Sequence, residues 1–191
     1  GGSPMTVTNL DFTMRLVFYP AIVGWIIIGY WLTSIRVKMA NIAQLANVLQ
    51  AMVLTRDDKM VLTPTYHVFE MFKVHQGAFH VPMDVKTSDI VTEENKVIQT
   101  VYATASVNEE GVMHISLANV SLDRSYEVTI HLNGAECRDI SGRILTSARI
   151  TDYNDFDHPD TVRPVSFTGV KHGENSLILT IPAKSIIALE F

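Results

Sequence analysis

Apolar and polar positions follow three different patterns along this chain. The first is unbroken: Leu16 to Ile35 is a stretch of twenty residues without a charge. As a helix rising about 1.5 Å per residue, it would span roughly 30 Å, the thickness of a bilayer core. Arg15 precedes it and Arg36 and Lys38 follow it. It therefore reads as a transmembrane anchor with its C-terminal side cytoplasmic, as a buried apolar helix, or as a stretch foreign to the rest of the chain. Pro20, Gly24 and Gly29 weaken a soluble helix but are tolerated in lipid, and no small-residue cleavage site follows Ile35. The second pattern has helical spacing. Val37, Ala40, Ile42, Ala43, Leu45, Ala46, Val48, Leu49 and Met52 recur with Asn41, Gln44, Asn47 and Gln50 between them, which predicts a helix over residues 36–58. The charged run Arg56-Asp-Asp-Lys59 reads as a turn, Met60-Val-Leu-Thr-Pro64 as a short strand, and Tyr66 to His75 as a second short helix.

The third pattern begins near Phe79 and has period two. Val97–Val107, Val112–Leu117, Tyr126–Leu132, Ile144–Ile150, Ser176–Ile181 and Ser185–Phe191 are rich in β-branched residues. Asn108-Glu-Glu-Gly111, Asn133-Gly134, Ser141-Gly142 and His172-Gly173 read as the turns between them. Many short strands at regular spacing predict a mainly β fold, an antiparallel sandwich of jelly-roll type. The expected organisation is a tag or linker over 1–15, the apolar helix over 16–35, the helix over 36–58, and a sandwich over 59–191.

Composition sharpens this reading. The chain's 15 Lys and Arg against 20 Asp and Glu leave a net charge of −5, with no basic footprint for nucleic acid. Its mean hydropathy of +0.18 is high for a soluble domain, and residues 16–35 carry the excess. The single Cys137 cannot close an intrachain disulfide, so burial must hold the fold.

The candidate chemistry is sparse. Glu93-Glu94 and Glu109-Glu110 are adjacent, so within a strand they would face opposite ways; both pairs read as solvated loop charges. His67, His75 and His80 are eight and five residues apart, and neither a zinc helix motif nor a nucleophile elbow occurs. No metal site, no triad and no cofactor is expected. Asp152-Tyr-Asn-Asp-Phe-Asp-His-Pro-Asp160 starts like a calcium loop, but Asp157 stands where the glycine belongs and Arg163 where the closing glutamate belongs. A loop capped by its own side chains is the better reading. Asn119-Val-Ser121 is a glycosylation sequon.

Several runs carry a resemblance. Arg36-Val-Lys-Met-Ala-Asn-Ile-Ala-Gln-Leu-Ala-Asn-Val-Leu-Gln50 and Lys59-Met-Val-Leu-Thr-Pro-Thr-Tyr-His-Val-Phe-Glu-Met-Phe-Lys73 are two of them. Gly142-Arg-Ile-Leu-Thr146, Phe156-Asp-His-Pro159 with Val162-Arg-Pro164, and the closing Ser185-Ile-Ile-Ala-Leu-Glu-Phe191 come next in order. Together they resemble the barrel end and C-terminal domain of glycoside hydrolase family 51, the α-L-arabinofuranosidases, over residues 36–191. The resemblance implies a β/α barrel followed by a β-sandwich. It also implies retaining hydrolysis of terminal α-L-arabinofuranosyl residues by a glutamate nucleophile and a glutamate acid/base. Neither of the family's two glutamate motifs occurs in these residues, so a C-terminal domain inactive by itself is expected. By the same resemblance Gln44 approaches the arabinose ring, as an amide that both donates to and accepts from hydroxyls. The implied partner is an arabinose-containing polysaccharide or oligosaccharide, once a barrel is present. Residues 16–35 add a membrane as a partner if they are an anchor, and the sequence is compatible with a homo-oligomer. The alternative is a membrane-tethered sandwich with a binding or structural role, although no Trp follows Trp31 to supply a sugar-stacking surface.

Overall fold

The computed structural model describes residues 45–48, 51–87, 89–91, 97–134, 139–173 and 175–191, with backbone alone for 89–91 and 97–98. Thirteen strands and one α-helix are described. The apolar stretch 16–35, residues 36–44 and 49–50 of the expected 36–58 helix (Gln44 among them), Glu93, Glu94 and Cys137 lie outside the described residues. Among the described residues no helix is long and apolar enough to cross a membrane.

A hairpin opens the described part. Strands β1 (Val53–Arg56) and β2 (Lys59–Leu62) pair antiparallel across the charged turn, where Asp57 takes a left-handed φ of 55°. This corrects the helix expected to run to residue 58. Asn47 accepts from the Thr55 amide at 2.7 Å, and Ala46 bridges Val53. The backbone is held extended from outside, and that overrides the helical spacing. Thr63 then ends the hairpin and starts helix α1 (Pro64–Phe72). Its hydroxyl donates to the Ala51 carbonyl at 2.8 Å and accepts from the Tyr66 amide, with Pro64 in the first helical turn. A 3₁₀ turn, Lys73–His75, closes the helix.

The centre is a six-stranded antiparallel sheet. Its members are β3 (Phe79–Val81), β6 (Val101–Val107), β7 (Met113–Asn119), β9 (Ser141–Thr146), β10 (Val165–Ser166) and β13 (Ser185–Glu190), in the order β10-β9-β13-β7-β6-β3. A three-stranded sheet, β11 (Val170–Gly173), β12 (Ser176–Ile181) and β8 (Tyr126–His131), covers part of one face. Strands β4 (Asp89–Val91) and β5 (Val97–Gln99) form a separate ribbon. Ala105, Ile115, Leu117, Ile187 and Leu189 of the large sheet meet Ile130, Leu177, Leu179 and Ile181 of the small one. The opposite face of the large sheet packs Ala118, Leu145 and Ile186 against Val68 and Met71 of α1. A third, smaller cluster joins Ala51, Leu54 and Val61 to Phe156.

The large sheet is thus buried on both faces, which is why β7 is rich in apolar and small residues throughout. The mainly β sandwich is as expected. Two of the expected turns are instead strand. Ser141-Gly142 opens β9, and a Cβ on Gly142 would meet the Phe167 carbonyl at 2.8 Å. His172-Gly173 ends β11. In both places glycine serves close packing or a strand end, so its presence gave a false turn signal.

Candidate functional site

Polar side chains gather where α1 meets the large sheet. The register of β6 on β7 sets Ser106 opposite His114 and Thr104 opposite Ser116, all on the helix-facing side. The 3₁₀ turn delivers His75 onto this face. Its Nδ1 lies 2.7 Å from Ser106 Oγ, and its Nε2 lies 2.8 Å from Ser116 Oγ. One ring nitrogen donates and the other accepts, and the two hydroxyls rotate to suit. His114 stands edge-on to His75, with ring centroids 6.5 Å apart. Its Nε2 is 3.1 Å from Glu190 Oε2, while its Nδ1 is buried without a hydrogen-bond partner among the described residues. Burial lowers the pKa of His75 to about 4, helped by the nearby His114 and His80.

A histidine beside a serine suggests a nucleophile and its base. The arrangement here differs in each part. The carboxylate, Glu190, binds the other histidine; the second nitrogen of His75 is taken by another serine; and a base that titrates near 4 is weak at neutral pH. The cluster acts as a bolt between the turn after α1 and two central strands. Beside it, Arg143 of β9 donates from Nη1 to Glu70 Oε1 at 3.0 Å and holds Nη2 2.8 Å from Oε2. This hydrogen-bonded pair keeps the Glu70 carboxyl below its ordinary range and ties α1 to β9.

The second polar assembly is the loop over residues 152–160. Asp152 accepts from the Arg149 amide at 3.1 Å, from Arg149 Nε at 2.9 Å and from the Ser147 hydroxyl. Burial pushes its carboxyl up, but these donors outweigh burial and hold it low. Asn154 donates to the carbonyls of Leu62 and Val162, both at 2.8 Å, and accepts from the Val162 amide at 2.7 Å. Asp155 accepts from the amides of Asp157 and His158. Asp155 caps the loop from within, as expected of a self-capped loop, while Asp152 is held by the flanking Ser147 and Arg149 and Asn154 ties the loop to Leu62 of β2. Among the described residues no group of three or more His, Cys, Asp or Glu is placed to hold a metal.

Other sequence candidates separate. Glu109 and Glu110 are exposed in the β6–β7 turn, which Asn108 caps through the Glu110 and Val112 amides. Asn119 of the sequon is fully buried and donates to the carbonyls of Arg124, Ile181 and Pro182, so the folded chain does not offer it to a sugar transferase. His67 sits on α1, and His80 on exposed β3 stands opposite Ser106 in the register. Sequence reasoning missed the meeting of His75 with Ser106, Ser116 and His114, and missed Asn154 as a hub. The available signal was a His and a Ser alternating with Ile and Leu in a strand that is apolar on its other face as well.

The α-L-arabinofuranosidase C-terminal domain family matches residues 21–185. That match enters the apolar stretch, upstream of residue 36 where the recognisable runs begin. An intracellular exo-α-L-arabinofuranosidase of Bacteroides ovatus is 48% identical over 155 residues, which are 81% of this chain and 30% of that protein. The crystal structure of a family 51 arabinofuranosidase from Xanthomonas axonopodis pv. citri superposes with a TM-score of 0.76 at 40% identity, over 81% of this chain and 31% of that one. A family 51 α-L-arabinofuranosidase from Bifidobacterium longum shares the fold, with a TM-score of 0.79 at 20% identity over 91% of this chain and 35% of that one. The chain therefore spans about a third of the length of these relatives.

Proposed function

Because the chain belongs to the α-L-arabinofuranosidase C-terminal domain family, we propose that its role is to complete a family 51 glycosidase whose chemistry is carried out by a preceding β/α barrel. The chain is the C-terminal domain of such an enzyme. The proposed activity of the completed protein is removal of terminal α-L-arabinofuranosyl residues from arabinan or arabinoxylan with retention, through two carboxyl groups close enough for a covalent intermediate. The observation that carries the reading is the 48% identity to an exo-acting enzyme over 155 residues of this chain. The polar networks fit a supporting role: His75, Glu70 and Asn154 each join separate elements and hold them rigid. Gln44 is proposed to reach the arabinose ring once a barrel is present.

A chimera tests this. Residues 36–191 replace the matching segment of the Bacteroides ovatus relative, behind that protein's own preceding part. The chimera is expected to hydrolyse an aryl α-L-arabinofuranoside, whereas the 191-residue chain gives no turnover above background. Turnover by the isolated chain, or a folded but inert chimera, overturns the reading. Within the chimera, Gln44→Ala is expected to raise KM about tenfold, the loss of one sugar hydrogen bond; an unchanged KM removes Gln44 from the site.

A further inference from the structure

Among the described residues the small sheet ends on one side at β8, whose outer edge is unpaired. The Leu132 amide donates to the Asn175 carbonyl at 3.0 Å, on the side of β12. Alternate residues of a strand point their backbone groups the same way, so Ile130 and Val128 also face β12, and Glu127, Thr129 and His131 face outward. Among the described residues these three have no backbone partner.

Across the opening runs the segment 82–87, which leaves the large sheet where β3 ends. The ladder with β6 ends at Val81, and Pro82 begins the departing segment. The segment nonetheless keeps a strand's alternation: Val81, Met83, Val85 and Thr87 are half-buried, while Pro82, Asp84 and Lys86 are exposed. Its far end is tethered by the Thr87 hydroxyl, 2.7 Å from that of Thr100. Among the described residues the backbone of Pro82–Lys86 is unpaired as well. Between this strap and β8 lies a cavity of about 770 Å³, floored by Ala103, Ala105, Ile115 and Leu117.

We propose that residues 82–87 form a strap that closes on the free edge of β8 as a fourth strand of the small sheet, gating the space between the two sheets. The strap is the fitting occupant for three reasons. It is fixed at both ends beside the opening, its inward row is apolar where the floor is apolar, and both facing backbones are unpaired. The small side chains of Ala103 and Ala105 leave room for Met83 and Val85 to drop inward. Closure gives Glu127, Thr129 and His131 the partners they lack.

Amide exchange followed by NMR on the 191-residue chain tests the device. The expected result is at least tenfold protection of the Glu127, Thr129 and His131 amides over free-chain rates. The double variant Met83→Asp with Val85→Asp should abolish it, while Ile115 and Leu117 of β7 stay protected. Lys86→Pro, whose native side chain lies in solvent, should have the same effect and decides the matter if the double variant loses β7 protection too. Free-chain exchange at the β8 edge of the unmodified chain overturns the proposal. So does protection that survives Lys86→Pro, or protection that rises with protein concentration, which would assign the edge to a second copy.

Discussion

A histidine held between two serine hydroxyls beneath a helix has two protonation states of unequal cost. Neutral, it satisfies both serines. Charged, it keeps those bonds but loses solvation, which places the folded pKa of His75 at about 4 against about 6.5 in an unfolded chain. Above pH 6.5 both states are neutral and His75 makes no contribution to pH dependence. Between 6.5 and 4 the unfolded chain takes up a proton that the folded chain refuses, so stability falls as the pH falls. Below 4 both are charged and the loss levels off. We expect urea midpoints to show the native chain losing about 2 kcal/mol more than His75→Gln between pH 7 and 4.5. Parallel curves would show that the ring is solvated. Comparison with the variant isolates this histidine from Glu70, whose lowered carboxyl also costs stability in acid. Little of this was legible from spacing: the sequence set His75 near His80, but Ser106, Ser116 and His114, which hold or face the ring, are brought to it by β6 and β7.

Elements with a long run and their own pattern were legible; those defined by their neighbours were not. Ser176–Ile181 alternates around an apolar face and is strand throughout its expected range. Helix α1 with its 3₁₀ turn lies where Val68, Phe69, Met71 and Phe72 share a face. Strands β3, β10 and β11 are only two to four residues long and exist through pairing with longer strands, so no periodicity announces them. The same holds for the junction between the hairpin and the 152–160 loop, which rests on Asn154. Replacing Asn154 by Ala leaves two carbonyls and an amide without partners, two of these three bonds being buried. A loss of about 3 kcal/mol is expected in urea unfolding, well above the cost of a surface polar truncation. A loss under about 1 kcal/mol would mean that water replaces the amide and that the loop is no hub.

At the scale of the molecule, sandwich and helix were both foreseeable, but the hairpin's membership of the folded body was not. The expected boundary at residue 59 cuts between β1 and β2. The structure places Ala51 and Leu54 in a buried cluster with Val61 and Phe156, and hangs the Thr63 hydroxyl on the Ala51 carbonyl. Arg56 also lies 4.1 Å over the Phe156 ring. Cutting at 60 removes the burial of a leucine and an alanine, one edge of a hairpin and the acceptor for a buried hydroxyl. These sum to about 3 to 5 kcal/mol from the area and hydrogen-bond contributions. Residues 51–191 are therefore expected to unfold in one cooperative urea transition, and residues 60–191 to do so at a midpoint lower by roughly 1 to 2 M for a domain of this size. Equal midpoints would assign the hairpin to whatever precedes it in the chain. A lower midpoint with an unchanged slope would place it in the sandwich, so that the domain boundary falls ahead of Ala51 and not at the charged turn.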